Sequence, residues 1–408
     1  KLTLTNCTVD SVSISTSIKD LSEIVDNNLE TFNKPIASGG LVGYVMGPVV
    51  LAGENSVTNC DISTPLAGDK PNITDMAAGG CFGEMRGPSP SNKEEPYYGT
   101  ISGVDGGYYT GLRLSGNTVS SKYAGGVIGH TFNSGPLIKL DGFEITGGTV
   151  TSDLAAGGVF GHMDINWGSQ MAIGNDTAEN TSTISGMMIM GRYAGGLAGC
   201  HQERGAIGFH SIELTNNTII AEQSVANNDY SAGGLVGYTN AGSARAASTF
   251  HNISLSGNDI YAKVAGTTLT EDEYNHVAVG GLFGRVKGDV CADRSKETSH
   301  FIELTSLDNS NEIGLWCEET NKIQLVKNVD GSYQLSDLSA VDSNDLPAAD
   351  AQGVIKDYDL LDSLEEKYGY LVGNMIGVLD SGCSEFMILR SDDDNGVNKF
   401  VTPVMTSN

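Results

Sequence analysis

Apolar and polar positions follow one another in short runs with the two-residue alternation of half-buried strands, each run closed by Asn, Gly or Ser. Leu112-Arg113-Leu114-Ser115 is one such run, and Thr118-Val119-Ser120-Ser121 follows it after a Gly-Asn pair. Helical periodicity is almost absent before residue 350. The pattern predicts an all-β chain.

The runs recur in a fixed order. An [ASV]-G-G-[LVC]-[VIFA]-G block appears seven times, beginning at Ser38, Ala78, Ala124, Ala156, Ala194, Ala232 and Val279, with steps of 40, 46, 32, 38, 38 and 47 residues. Its repeat glycines are Gly39, Gly40 and Gly43; Gly79, Gly80 and Gly83; Gly125, Gly126 and Gly129; Gly157, Gly158 and Gly161; Gly195, Gly196 and Gly199; Gly233, Gly234 and Gly237; and Gly280, Gly281 and Gly284. Gly369-Tyr370-Leu371-Val372-Gly373 reads as a degenerate eighth copy. Ahead of each block stands a strand, a two-residue Asn/Gly corner and a second strand. These are Leu4-Thr5-Asn6-Cys7-Thr8-Val9, Val57-Thr58-Asn59-Cys60-Asp61-Ile62, Leu114–Val119, Ile145–Val150, Ile184–Ile189, Leu214–Ile219 and Leu255–Ile260. Asn and Gly tolerate the left-handed backbone such corners need. The paired glycines permit a sharp bend with close backbone approach, and the apolar pair after them fills the interior.

Two aligned blocks per repeat imply stacked rungs, with parallel strands about 4.8 Å apart and like residues in ladders. The expected fold is a right-handed parallel β-helix (β-solenoid) of seven or eight irregular rungs over residues 1–300. A divergent terminal element or cap is expected over 301–408. In that tail, Phe301–Leu304, Leu371–Val378 and Ser384–Leu389 read as strands, Glu312–Leu315 as the start of a degenerate rung, and Leu360–Tyr368 as the one helix. Step lengths differ because two positions accept insertions, as in Ser15–Ile36 and Ala262–Val277 between the blocks and Glu84–Gly111 after the glycines. Insertions at fixed repeat positions project from fixed faces, where recognition is expected.

The strings Gly-Gly-Leu-Val-Gly-Tyr at 39–44 and 233–238 resemble the GLUG motif, a short repeat of bacterial secreted and surface proteins. The resemblance covers roughly residues 1–290 through its seven copies. It implies kinship with adhesins, autotransporter-type passenger regions and large cell-wall proteins, some of them joined to peptidases. It therefore implies a structural or adhesive role and an extracellular or cell-surface location, and it brings no catalytic residues. Cys81 and Ala198 depart from the pattern in core positions, as does Tyr370 at the second glycine.

Composition narrows the partners. With 23 Lys and Arg against 50 Asp and Glu, the formal charge of −27 repels nucleic acid and anionic lipid. Fifty-three glycines with only 10 prolines and no three-residue period exclude collagen. No run of 18 apolar residues occurs, so membrane insertion of this segment is not expected. The chain starts at Lys1 already in a strand pattern, and we read it as a processed protein or part of a longer one.

Candidate chemistry lies in three places. After the glycine block runs the column Tyr44, Glu84, His130, His162, Cys200, Tyr238, Arg285. Carboxylate, imidazole and thiolate groups in a row are metal-ligand types. Ligands a full rung apart along a line chelate poorly, however, so the expectation is a polar ladder splayed outward at a strand end, with no metal. Cys7 and Cys60 fall at matching corners, in reach either of a disulfide or of a ladder of free thiols. Ser391-Asp392-Asp393-Asp394-Asn395-Gly396 is acidic like a calcium loop, but Ser391 and Thr402 stand where an EF-hand needs Asp and Glu. No cofactor is expected beyond a loose surface calcium. Glu144, Glu213 and Glu303 precede core strands, and Asp61 and Asp259 share a corner, but neither set falls on consecutive rungs as paired acid/base catalysis would need.

The function expected is therefore a non-enzymatic extracellular rod that displays loops, with Tyr97–Tyr109 and Phe132 to Trp167 as contact regions. Its partners would be other copies of itself or a cell-surface protein or glycan. The alternatives are a polysaccharide lyase or glycoside hydrolase on the same fold, and a viral or phage fibre segment.

Overall fold

The computed structural model describes residues 1–16, 36–64, 76–87, 99–132, 137–165, 170–175, 180–203, 206–223, 228–243, 249–264, 268–269, 276–289 and 311. Beyond these it gives the strands 301–307, 312–317, 322–327, 333–337, 372–373, 376–379, 388–392 and 396–400. It is an all-β fold built from parallel sheets. The second repeat shows the plan, with strands Pro48–Ala52, Asn55–Thr58, Asp61–Ser63, Met76–Gly79 and Phe82–Arg86. Each strand pairs in parallel with its counterparts in the flanking repeats. Val57 lies opposite Leu114, Ile62 opposite Val119, and Phe82 opposite Val42 and Ile128.

The ladders carry like residues along the stack. Val57, Leu114, Ile145, Ile184, Leu214 and Leu255 form one apolar column. Ile62, Val119, Val150, Ile189, Ile219 and Ile260 form the next. With Phe82, Phe160, Phe209, Phe250 and Phe283 they fill one continuous core. No rung is thick enough to bury its own side chains, so burial is shared between neighbours.

Six of the seven repeats turn two left-handed corners rather than one, and the repeat with Gly116 turns only the later one. The corner ahead of the third strand position has positive φ at Ser11, Asn59, Gly116, Gly147, Gly186, Asn216 and Gly257. The corner before it has positive φ at Asn6, Gly53, Gly142, Gly174, Ser211 and Asn252. This corrects the first copy of the sequence alignment. Val9 pairs with Val57 and Ile14 with Ile62, which sets Ser11-Val12 beside Asn59-Cys60 and moves Asn6-Cys7 to the earlier corner beside Gly53. The two corners have similar chemistry, and matching of the core residues decides which one is paired. Cys7 and Cys60 are consequently not in one column, and both are free thiols. Cys60 Sγ donates to Thr58 O at 3.2 Å, while Cys7 Sγ donates to Thr5 O at 3.8 Å.

At the later corner an asparagine ladder ties rung to rung. Oδ1 of Asn117, Asn217, Asn258 and Asn311 accepts the backbone N–H of Cys60, Met187, Asn217 and Asn258 respectively, at 2.9–3.0 Å. Nδ2 of the same four residues donates to the carbonyls of Val57, Ile184, Leu214 and Leu255. A buried N–H and a buried C=O at the turn are thereby satisfied by one side chain.

The glycine block is a close-packed bend. A Cβ on its first glycine (Gly79, Gly125 or Gly157) would overlap the carbonyl three residues on, and one on its second (Gly80, Gly126 or Gly158) would overlap the same glycine's carbonyl in the next rung. None of these glycines has positive φ, so the demand is for space rather than for a left-handed backbone.

Parallel stacking continues past residue 300. Phe301–Leu307 lies along Thr249–Ser256, and Glu312–Cys317 along Asp259–Val264. Val279 pairs with Val372 and Gly280 with Gly373, followed by Phe283 with Ile376. The eighth block is thus Val372-Gly373-Asn374-Met375-Ile376-Gly377, displaced from the expected alignment, which had put Gly373 at the closing glycine. The pairing of Ile376 with Phe283 sets the register. Antiparallel pairing is found at 316–317 with 322–323, at 324–327 with 333–337, at 268–269 with 333–334 and at 388–392 with 396–400. The expected helix Leu360–Tyr368, the centres of the insertions at 17–35, 88–98, 166–169 and 270–275, and Asp393–Asn395 of the acidic run lie outside the described residues.

Candidate functional site

The polar column after the glycine block is in register, as the spacing requires. Tyr44 pairs with Glu84, Glu84 with His130, His130 with His162, His162 with Cys200, Cys200 with Tyr238 and Tyr238 with Arg285. It is not splayed into solvent. From Glu84, at 0% exposure, to Arg285, at 5%, every member is buried. The glycine bend swings the preceding strand back over the following one, and a second column comes to face the first. That column is Ala77, Tyr123, Ala155, Tyr193, Ser231 and Ala278. Small residues flank each tyrosine, so each ring spreads across two rungs. Tyr123 packs on His130 and His162 at centroid distances of 4.8 and 4.6 Å, and Tyr193 stacks on Tyr238 at 4.7 Å. The result is a narrow buried seam, separate from the main core.

Charge is arranged along it. At one end Glu84 lies 3.6 Å from both Arg86 Nε and His130 Nδ1, and neither carboxylate oxygen accepts a hydrogen bond. In the middle His130 and His162 stack with centroids 4.9 Å apart and planes 4° from parallel. All four of their ring nitrogens are buried; those of His130 have no hydrogen-bond partner, and only the Gln202 side chain comes near enough to His162 to favour its charged form. Burial, and then the neighbouring imidazoles of His130 and His201, hold the pKa of His162 well below the usual histidine range. At the far end Arg285 Nη1 lies 3.8 Å from Asp229, whose other oxygen meets His276 Nδ1 at 2.8 Å. Arg192 lies over the Tyr193 ring at 4.9 Å.

Burial pushes the Tyr193 hydroxyl up to about 12 and raises the Cys200 thiol further, so both stay protonated. The stacked imidazoles present parallel planes rather than converging lone pairs. Among the described residues no three His, Cys, Asp or Glu side chains gather where they could hold a metal ion.

The carboxylates considered for catalysis are spaced out along the stack. Glu144 and Glu213 share an outer column with Thr183 between them, and Glu144 lies 3.3 Å from Arg113. Asp61 and Asp259 share a column, with Thr118, Thr149, Met188 and Thr218 between them. Of the contact regions, Tyr97, Tyr98 and Trp167 lie outside the described residues, and Tyr108 is exposed. Sequence reasoning missed Tyr123 and Tyr193 as the cover of the seam. Their signal was present, since they alternate with Ala and Ser at the position just before each glycine block.

Comparison with known protein families, with curated proteins and with solved structures finds no match to this chain. Among the described residues no helix is long and apolar enough to cross a membrane, which says nothing of strands.

Proposed function

We propose that this chain is a right-handed parallel β-solenoid of the GLUG-like type. In this reading it is a non-enzymatic extracellular rod that displays loops for attachment to a cell-surface protein or glycan, or for assembly with copies of itself. The observation that carries the proposal is the in-register parallel stacking of successive repeats, whose inward columns are spent on bonding rung to rung. Side chains committed to the stack leave the variable insertions as the parts free to differ, and loops on a rigid scaffold are where recognition is commonly placed. The charge of −27 suits a rod that stays dispersed and selects its contacts.

The test is adhesion of beads coated with the whole chain to a glycan array and to cultured cells, beside light scattering of the free chain. Saturable retention on a glycan or cell, or ordered end-to-end growth, supports the reading. Shortening of a polysaccharide incubated with the chain would replace it with the enzyme alternative. Absence of retention, growth and cleavage alike would discard it.

A further inference from the structure

We propose that the seam beside the glycine bend is an acid-operated clasp, closed by the stacking of His162 on His130 and opened when the His162 imidazole takes up a proton. This inference stands on the seam's geometry and does not depend on the adhesive reading.

Two imidazoles lie 4.9 Å apart, nearly parallel, at 2% and 5% exposure, under the Tyr123 ring. The His130 nitrogens have no hydrogen-bond partner, and His162 has at most the side chain of Gln202 at its edge. A buried polar group in that state is costly, and a buried charge more so. A proton on His162 would set a buried cation against the His130 ring with little water to screen it.

The surrounding groups decide which ring matters more. His130 has the Glu84 carboxylate at 3.6 Å on the side away from His162. His162 faces His130 on one side and Cys200 on the other, with Lys122 and His201 also near it. The Gln202 side chain works the other way and favours the charged form, but burial and the two imidazoles outrank it, and Asp164 lies on the same strand as His162. Acid therefore acts mainly through His162. The sign follows from linkage. A histidine kept neutral when closed, with an ordinary pKa when open, stabilises the closed form fully above about pH 6.5 and loses that stabilisation as pH falls.

Cys200 reports the opening. It lies in the seam opposite His162, whereas Cys81 lies in the main core, and both are buried. The experiment labels the whole chain with a dithiodipyridine, which reacts with thiols in acid, at pH 7.5 and 5.5. Site-specific rates are read by peptide mass spectrometry and normalised to a free cysteine peptide at each pH.

One imidazole, that of His162, titrating only when the seam is open raises the open population by about tenfold between these pH values. The expected result is a rise of about that size or more at Cys200, with Cys81 still protected. His162→Phe keeps a ring to stack and removes the proton site, so it should flatten the rise, while Glu84→Gln should enlarge it. A pH-independent Cys200, or Cys200 and Cys81 reacting together in the natural chain, would overturn the clasp whether or not either variant folds. So would a full rise retained in a folded His162→Phe chain.

Discussion

Asn258 Oδ1 accepts two hydrogen bonds from Asn217, one from its backbone N–H at 3.0 Å and one from its side-chain amide at 2.9 Å. Asn258 then returns its own amide to the Leu214 carbonyl at 2.9 Å. One buried side chain thus joins a corner to the strand before it, in the rung below.

Removing that side chain takes the partner from the Asn217 backbone N–H and from the Leu214 carbonyl, and leaves the Asn217 amide with the Ile184 carbonyl alone. At about 1–3 kcal/mol for each orphaned group, Asn258→Ala should cost several kcal/mol, on the order of 3. Asn258→Asp keeps the acceptor but loses the donor and buries a charge, so it should rescue little. Urea unfolding followed by circular dichroism measures both, and a loss below about 1 kcal/mol for the alanine variant would contradict the ladder.

The glycines divide into two kinds, and substitution separates them. Gly158→Ala drives a Cβ into the Gly196 carbonyl of the next rung and should prevent tight stacking, costing about 4 kcal/mol or more. Gly147 has φ +63° with open space around its Cβ position, so Gly147→Ala should cost only about 1–2 kcal/mol of backbone strain. Gly147→Asn should be near neutral, since Asn59 and Asn216 hold the same corner. Thermal unfolding of the three variants ranks them.

Thiol labelling at neutral pH tests the corrected register. Cys7 is half-buried, while Cys60, Cys81 and Cys200 are buried, so only Cys7 of these four should react in the folded chain. Recovery of a Cys7–Cys60 crosslinked peptide from the natural chain would refute the register at the first rungs.

Phe250 is fully buried between Phe209, at 5.7 Å, and Phe283, at 5.4 Å. Phe250→Ala opens a cavity worth about 3–5 kcal/mol. Because each rung contacts chiefly its neighbours, the damage should stay local. Hydrogen exchange should speed up over 206–215 and 249–256 while 112–125 keeps its protection.

Much of the fold was legible in the chain because a repeat must satisfy the same steric demand at each copy. Gly39, Gly79, Gly125, Gly157, Gly195, Gly233 and Gly280 do align as the spacing says, since a Cβ at the bend has nowhere to go. The later corners were legible for the same reason at Asn59, Gly116 and Asn216, where the backbone must be left-handed. Placement that depends on the opposing strand was not legible. Asn6-Cys7 has the right residues for either corner, and only the pairing of Val9 with Val57 assigns it to the earlier one. Gly373 likewise fits two positions of the block until Ile376 meets Phe283. The polar column from Glu84 to Arg285 reads as a solvated strand end, because alternation reports a face but not what is folded over it. Its members and their order were set by the one-dimensional spacing. Their burial, the stacking of His130 on His162 and the cover supplied by Tyr123 arise only when the bend brings two strands of each rung together.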